Sequence, residues 1–206
     1  MNQPSVSSPS ARGPADHDIR DQIVAAANEH FSQYGYSKTT VSDLAKAIGF
    51  SKAYIYKFFD SKQAIGEAIC RNCLSQIVAA VEQAINVEGI SPTERFRRLV
   101  KTLIAKGVDL FFNDRKLYDI AAFAASESWP SSRVYDARIK SFVLQIVREG
   151  RELGEFERKT PLDETVESIH LALRPFINPL LLQYNLDVVE EAPGLISNLI
   201  LRGLMP

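Results

Sequence analysis

Cysteine, histidine and tryptophan are scarce, with two, three and one copies in 206 residues. Cys70 and Cys73 stand three apart inside a helical pattern, where a mutual disulfide is geometrically awkward. They read as buried thiols, with a redox pair as the other reading. A zinc site built on that CxxC spacing needs a second ligand pair, and His17, His30 and His170 are too scattered to supply one, so no metal is expected. A phosphate-binding glycine loop and a carboxylate–histidine metal pattern are also missing. No catalytic constellation and no cofactor are therefore implied. No run of about 18 apolar residues is available to span a bilayer, and the Ser/Pro-rich N-terminus lacks an apolar signal core. The expectation is a cytoplasmic protein without a membrane partner. An excess of one charge is absent too: the formal net charge of -1 excludes a histone-like coat on nucleic acid.

The near-neutral sum hides a local asymmetry. Between Lys38 and Lys62, KTTVSDLAKAIGFSKAYIYKFFDSK, five lysines face two aspartates. A basic patch on a nearly neutral body suits a single defined nucleic-acid site, although lysines are also ordinary solvated residues. Residues 1–15 are polar, Pro/Ser-rich and aperiodic, which predicts a disordered arm.

Beyond the arm nearly every segment has helical period. Ile23, Ala26, Ala27, Phe31 and Tyr34 mark a first helix from about Asp18, stopped by Gly35. Val41, Leu44, Ala45 and Ile48 mark a second, opened by a threonine cap and closed at Gly49. Ser51 caps a third, with Ile55 and Phe58 or Phe59 pointing inward, and a fourth runs from about Lys62 to Ile85. Ser91-Pro92-Thr93-Glu94 combines a capping box with proline at the first helical position. Further helices span roughly Lys116 to Ser128, the stretch from Ile139 to Leu153, Leu162 to Gln183, and Val188 to Leu204. No strand pattern competes, so the fold class is all-α.

The segment from Thr40 to Phe59 meets the requirements of a helix-turn-helix: two helices around a glycine-containing turn, with a small polar outer face on the second. Leu44, Ala45, Ile48 and Ile55 supply its core. Ser51, Lys52, Ala53, Tyr54 and Lys57 are left facing outward. The helix ending at Tyr34 completes a three-helix unit.

These residues carry a resemblance. Phe31, Tyr34-Gly35, Thr39-Thr40-Val41, Leu44-Ala45, Ile48-Gly49, Ser51, Tyr56, Phe58-Phe59 and Lys62 together resemble the N-terminal domain of TetR-type transcriptional regulators, over about the first third of the chain. The resemblance implies a helix-turn-helix head over residues 16–62 and a helical ligand-binding and dimerisation domain over 63–206. It implies that Tyr56 packs its ring inward and offers its hydroxyl to a phosphate, a plain core aromatic being the alternative. Lys62 would be a phosphate clamp at the start of the fourth helix. Thr40 serves as cap or phosphate ligand, with capping its primary task. Ser42, Ser51, Lys52, Ala53 and Tyr54 stand where base edges are read, with Lys52 suited to guanine O6/N7 and Ala53 or Tyr54 to a thymine methyl. Lys57 is either a solvated lysine or a phosphate contact.

The implied partners are a palindromic DNA operator, a second copy of the chain and a small-molecule effector of unknown identity. The dimer interface is expected at 162–183 and 188–204, whose apolar positions could equally be monomer core. Pro175 and Pro179 forecast a kink or break in the first of these. Large side chains between head and dimer helices, Phe111, Tyr118, Phe123, Trp129, Phe142 and Phe176, with Glu127, His170 and Arg174 as polar groups, are the candidate ligand pocket. Core packing or surface ion pairs account for the same residues. The competing functions are an activator of the same architecture and a helical interaction protein without DNA binding.

Overall fold

A computed structural model describes residues 13–206, and among them the chain forms ten helices and no strand. The expected arm lies outside the described residues as far as residue 12. Residues 13–15 are already helical, because α1 is Gly13–Tyr34 and begins five residues before the expected Asp18. A proline in a first turn has no N–H that the helix would otherwise use.

Helices α2 (Val41–Ile48) and α3 (Lys52–Ile55) pack with α1 as the head. Its core is Ile23, Ala27, Phe31, Val41, Leu44, Ala45, Ile55 and Phe59, all buried. Helix α4 (Lys62–Ile85) leaves the head and becomes the axis of the body. There it packs on α5 (Pro92–Asn113) and α7 (Pro130–Glu152), while touching α1 and α6 (Arg115–Ser126). By length and composition α4 is apolar enough to cross a membrane, which corrects the expectation that no such stretch exists. Half of its apolar window is buried in the protein, and Ile65, Ile69, Ile77, Val81 and Ile85 face α5 and α7, as the central helix of a bundle must.

Three boundaries differ from the sequence pattern. The helix expected at 162–183 is two: α8 (Leu162–Ile177) stops at Asn178, and α9 (Pro179–Leu182) follows. Asn178 precedes proline and is held in extended backbone (ψ 121°), while its side chain caps the next turn through Leu180 N–H at 2.9 Å. The last helix, α10, is Ala192–Gly203 rather than starting at Val188, with Pro193 in its first turn. At α5, Ser91 Oγ accepts the Glu94 N–H at 3.2 Å, but the Glu94 carboxylate pairs with Arg98 at 2.8 Å, so half of the expected capping box forms. Cys70 and Cys73 are buried free thiols, and burial pushes them up to about 11 and about 12.

Candidate nucleic-acid interface

The head is held in shape by caps on both of its short helices. Thr40 Oγ1 accepts the Asp43 N–H at 3.2 Å and Asp43 Oδ2 accepts the Thr40 N–H at 2.9 Å, a complete reciprocal capping box. The Thr40 hydroxyl also donates to Asp43 at 2.7 Å, so it is spent on the cap, and these bonds hold the Asp43 carboxyl below the usual carboxylate range. Gly49 sits at φ 77°, a left-handed conformation that closes α2 and turns the chain toward α3. Ser51 caps α3 through the Tyr54 N–H at 3.0 Å.

The recognition helix is shorter than the pattern expects. After Ile55 the bonds tighten to Lys57 N–H on the Tyr54 carbonyl (3.1 Å) and Phe58 N–H on the Ile55 carbonyl (3.0 Å). The tighter winding lets two adjacent aromatics, Phe58 and Phe59, both reach the core. Ser51, Lys52, Ala53 and Lys57 are exposed on the outer face, in line with their spacing, and Ser42 is half-buried on α2 beside them. Tyr54 is half-buried, edge-on to Phe50 and Phe58 at 5.0 and 5.3 Å between ring centres. It can present its rim to a ligand but is also packing.

Two expected phosphate groups stand differently. Tyr56 does not pack inward: it is 42% exposed, with the Lys52 ammonium 5.8 Å from its ring centre, because it follows Ile55 and that residue takes the buried position. Lys62 is turned inward. Its Nζ donates to the carbonyls of Tyr36 and Thr39 at 3.1 Å each and lies 4.4 Å from the Tyr36 ring centre. Burial lowers the pKa of this ammonium below the ordinary lysine value. In this structure Lys62 is a latch tying the α1–α2 loop to the first turn of α4, rather than a free phosphate clamp.

Sequence reasoning missed two further ties. Arg20 of α1 donates to the Phe58 carbonyl and lies 4.3 Å from the Phe59 ring centre, bracing the end of α3. Thr39 is buried and donates to the Gly35 carbonyl at 2.9 Å. The Thr40–Asp43 spacing is a cap signal visible in the sequence; nothing in the sequence pairs Arg20 with Phe58.

The candidate ligand residues do not converge on one cavity. Phe123 and Trp129 join Tyr36 in an aromatic cluster at the head–body joint, with ring centres 5.4–5.6 Å apart. Tyr118 is buried under α9 and donates to the Pro179 carbonyl, with Phe111 edge-on at 4.8 Å. Phe142 is core and Phe176 packs against that core. Glu127 and Arg174 are exposed, and His170 is buried between charged groups of α7 and α8. Helical period gives the buried face of each helix but not its neighbour, which is why these residues looked like one set. The largest cleft lies elsewhere, about 580 Å³ between α1, α4 and the α5–α6 corner.

A three-helix head with a capped helix-turn-helix, mounted on a helical body, defines a DNA-binding regulator of transcription. Residues 23–69 match the model of bacterial regulatory proteins of the tetR family, and residues 92–192 match the tetracyclin repressor-like C-terminal domain. The chain belongs to the TetR family. It is 24% identical over 144 residues to the transcriptional repressor DhaR of Mycobacterium sp. (strain GP1), covering 68% of this chain and 71% of that one. It is 37% identical over 59 residues to IcaR of Staphylococcus aureus, negative regulator of the biofilm operon icaADBC, and there spans 32% of the relative. The TetR family regulator PfmR of Thermus thermophilus superposes with a TM-score of 0.58 at 28% identity, over 89% of this chain and 99% of the other.

Proposed function

We propose that this regulator is a repressor that binds a palindromic operator as a homodimer and releases it when a small molecule binds the body. The observation that carries the reading is the outer face of α3, where Ser51, Lys52, Ala53 and Lys57 are exposed while Ile55 is buried beneath them. A helix stripped of acidic residues on its outer face can enter a major groove. In this reading Lys52, Ala53, Tyr54 and Ser42 read base edges, and Tyr56 and Lys57 grip phosphates from exposed positions. Thr40 and Ser51 first serve as caps. The head occupies residues 16–62 and the body 63–206, with α4 linking them.

One head contacts one half-site, and a two-fold dimer sets two heads about 34–36 Å apart. Apolar residues left uncovered on α8 and α10 support this: Leu171, Leu195 and Leu199 are 54%, 64% and 73% exposed, on two helices that touch within the monomer. Isolated exposed leucines are ordinary, but several on adjoining helices make an interface. Mobility shift with the DNA upstream of the chain's own gene tests the function. Tyr56→Phe should weaken binding on specific and scrambled DNA alike, and Lys52→Ala should chiefly change the preferred site. Absence of any shift at low salt refutes the reading.

A further inference from the structure

We propose that the cleft between α1, α4 and the α5–α6 corner binds an organic ammonium ion carrying a compact apolar group. The cleft, at about 580 Å³, has the size of a small-molecule site. One wall is α1 of the head, the floor is α4, and the far wall is the end of α5 and the start of α6. Ile69, Leu110 and Leu117 give it an apolar surface.

Its polar groups have one character. Three carboxylates line it, Asp21, Asp109 and Asp114, and no lysine, arginine or histidine does. Their present partners leave acceptor capacity free. Asp21 has His17 at 2.9 Å on the exposed side, Asp109 accepts the Asn113 amide, and Asp114 Oδ1 accepts the Leu117 N–H at 3.1 Å. The Asp114 charge also reaches the floor, where it adds to burial and to Cys70 in raising the Cys73 thiol. On the α1 wall the side-chain oxygen of Asn28 is buried without a hydrogen-bond partner. An orphaned buried acceptor is costly unless something donates to it.

The end of α5 reinforces the sign. A helix C-terminus carries partial negative charge and is normally met by basic side chains. The last turn of α5 has none; it holds Asp109 and is followed directly by Asp114. Acid on a negative helix end is a local rule broken, and a cation in the cleft repairs it. A ligand donating N–H groups satisfies the carboxylates and Asn28 together, while its apolar part covers Ile69, Leu110 and Leu117. Because it would touch the head through α1 and the body through α5 and α6, its binding energy would differ between head orientations. This inference rests on the ligand-released regulator reading for its role, though not for the binding itself.

Calorimetry of the full chain with 2-phenylethylamine, 2-phenylethanol and phenylacetate tests the class of ligand. The amine should bind saturably with one site per chain, and the neutral and anionic analogues about tenfold more weakly or not at all. Asp109→Asn and Asp21→Asn, both exposed positions outside the DNA face, should each weaken the amine several-fold to about tenfold. Ala25→Trp, exposed on the same wall, should block it while circular dichroism shows an unchanged fold. Equal affinity for the alcohol, unchanged affinity in the aspartate variants, or no saturable amine binding overturns the proposal. Mobility shift without amine is read separately. A chain that shifts DNA but binds no amine defeats this inference alone, whereas one that binds amine but never DNA defeats the regulator reading alone.

Discussion

Replacing Lys62 with methionine separates two roles that the residue could play. As a latch, its ammonium makes two hydrogen bonds, to the Tyr36 and Thr39 carbonyls, at 3.1 Å each. Charge-assisted N–H···O bonds are usually shorter, about 2.7–2.9 Å, so each is taken at a modest net value of about 1 kcal/mol. The cation over the Tyr36 ring, 4.4 Å from its centre, adds about 0.5 kcal/mol at a partly exposed position. Methionine keeps the apolar stem against Tyr36 and loses the rest. The expected cost is about 2 kcal/mol, or a melting point lowered by about 4–8 °C in a chain of this size. A solvated lysine waiting for DNA would change stability by about 0.5 kcal/mol or less.

The same variant is read on DNA. A phosphate contact contributes about -0.9 to the slope of log K against log salt, so losing one flattens the slope by about that amount. A latch holds the loop whose next residue, Thr40, caps α2. Its loss should reduce affinity on specific and scrambled sequences while leaving the slope unchanged. A Lys62→Met protein with an unaltered melting point and a slope flattened by about one would refute the latch and restore the clamp.

Gly150→Ala should cost about 2 kcal/mol in denaturant melts, because the new Cβ would stand 2.1 Å from Phe156 Cδ2; evicting that buried ring costs about 2–3 kcal/mol, and alanine's helix preference returns about 1. An unchanged midpoint would show that the ring moves freely. His170 is 7% exposed and burial lowers its pKa below 6.5, so the unfolded chain takes up a proton first. Its contribution is constant above pH 6.5 and stability falls as pH drops from 6.5 toward the folded value; His170→Gln should flatten that limb in calorimetry, and an identical limb in both proteins removes His170 as its cause. The neighbours facing it, Asp136 and Lys140 of α7 and Glu167 and Arg174 of α8, stay in place in that variant. Leu199→Asp should convert a dimer to a monomer by sedimentation with a monomer stability change of about 0.5 kcal/mol or less, since the side chain is exposed; a persistent dimer would move the interface away from α10.

The head was legible almost residue by residue because its signals are local. Thr40, Gly49 and Ser51 fix where α2 and α3 begin and end through bonds within four residues, and such bonds are written in adjacent sequence. The break at Asn178 was equally legible, since a proline restricts its neighbour whatever surrounds them. The orientation of Lys62 and the exposure of Tyr56 depend on Tyr36 and Ile55, and spacing alone says nothing of which group a side chain meets.

The body shows the limit more sharply. Phe123, Trp129 and Tyr118 are large residues that need partners, as their size in the sequence implies, but α6 turns Phe123 toward Tyr36 of the head and Tyr118 toward α9, on opposite errands. Gly66 makes the first of these possible: a Cβ there would stand 2.8 Å from Tyr36 and 2.9 Å from Trp129, so only glycine lets the two rings meet across α4. Tyr36 thus touches α4 through Gly66, the ammonium of Lys62 and the α6–α7 turn through Trp129. A closely packed joint of this kind transmits a change of angle instead of absorbing it, because displaced rings have no void to enter. Any shift of α4 relative to α6 must therefore move the loop that leads into Thr40 and the cap of α2, which is the physical route from the body to the DNA face.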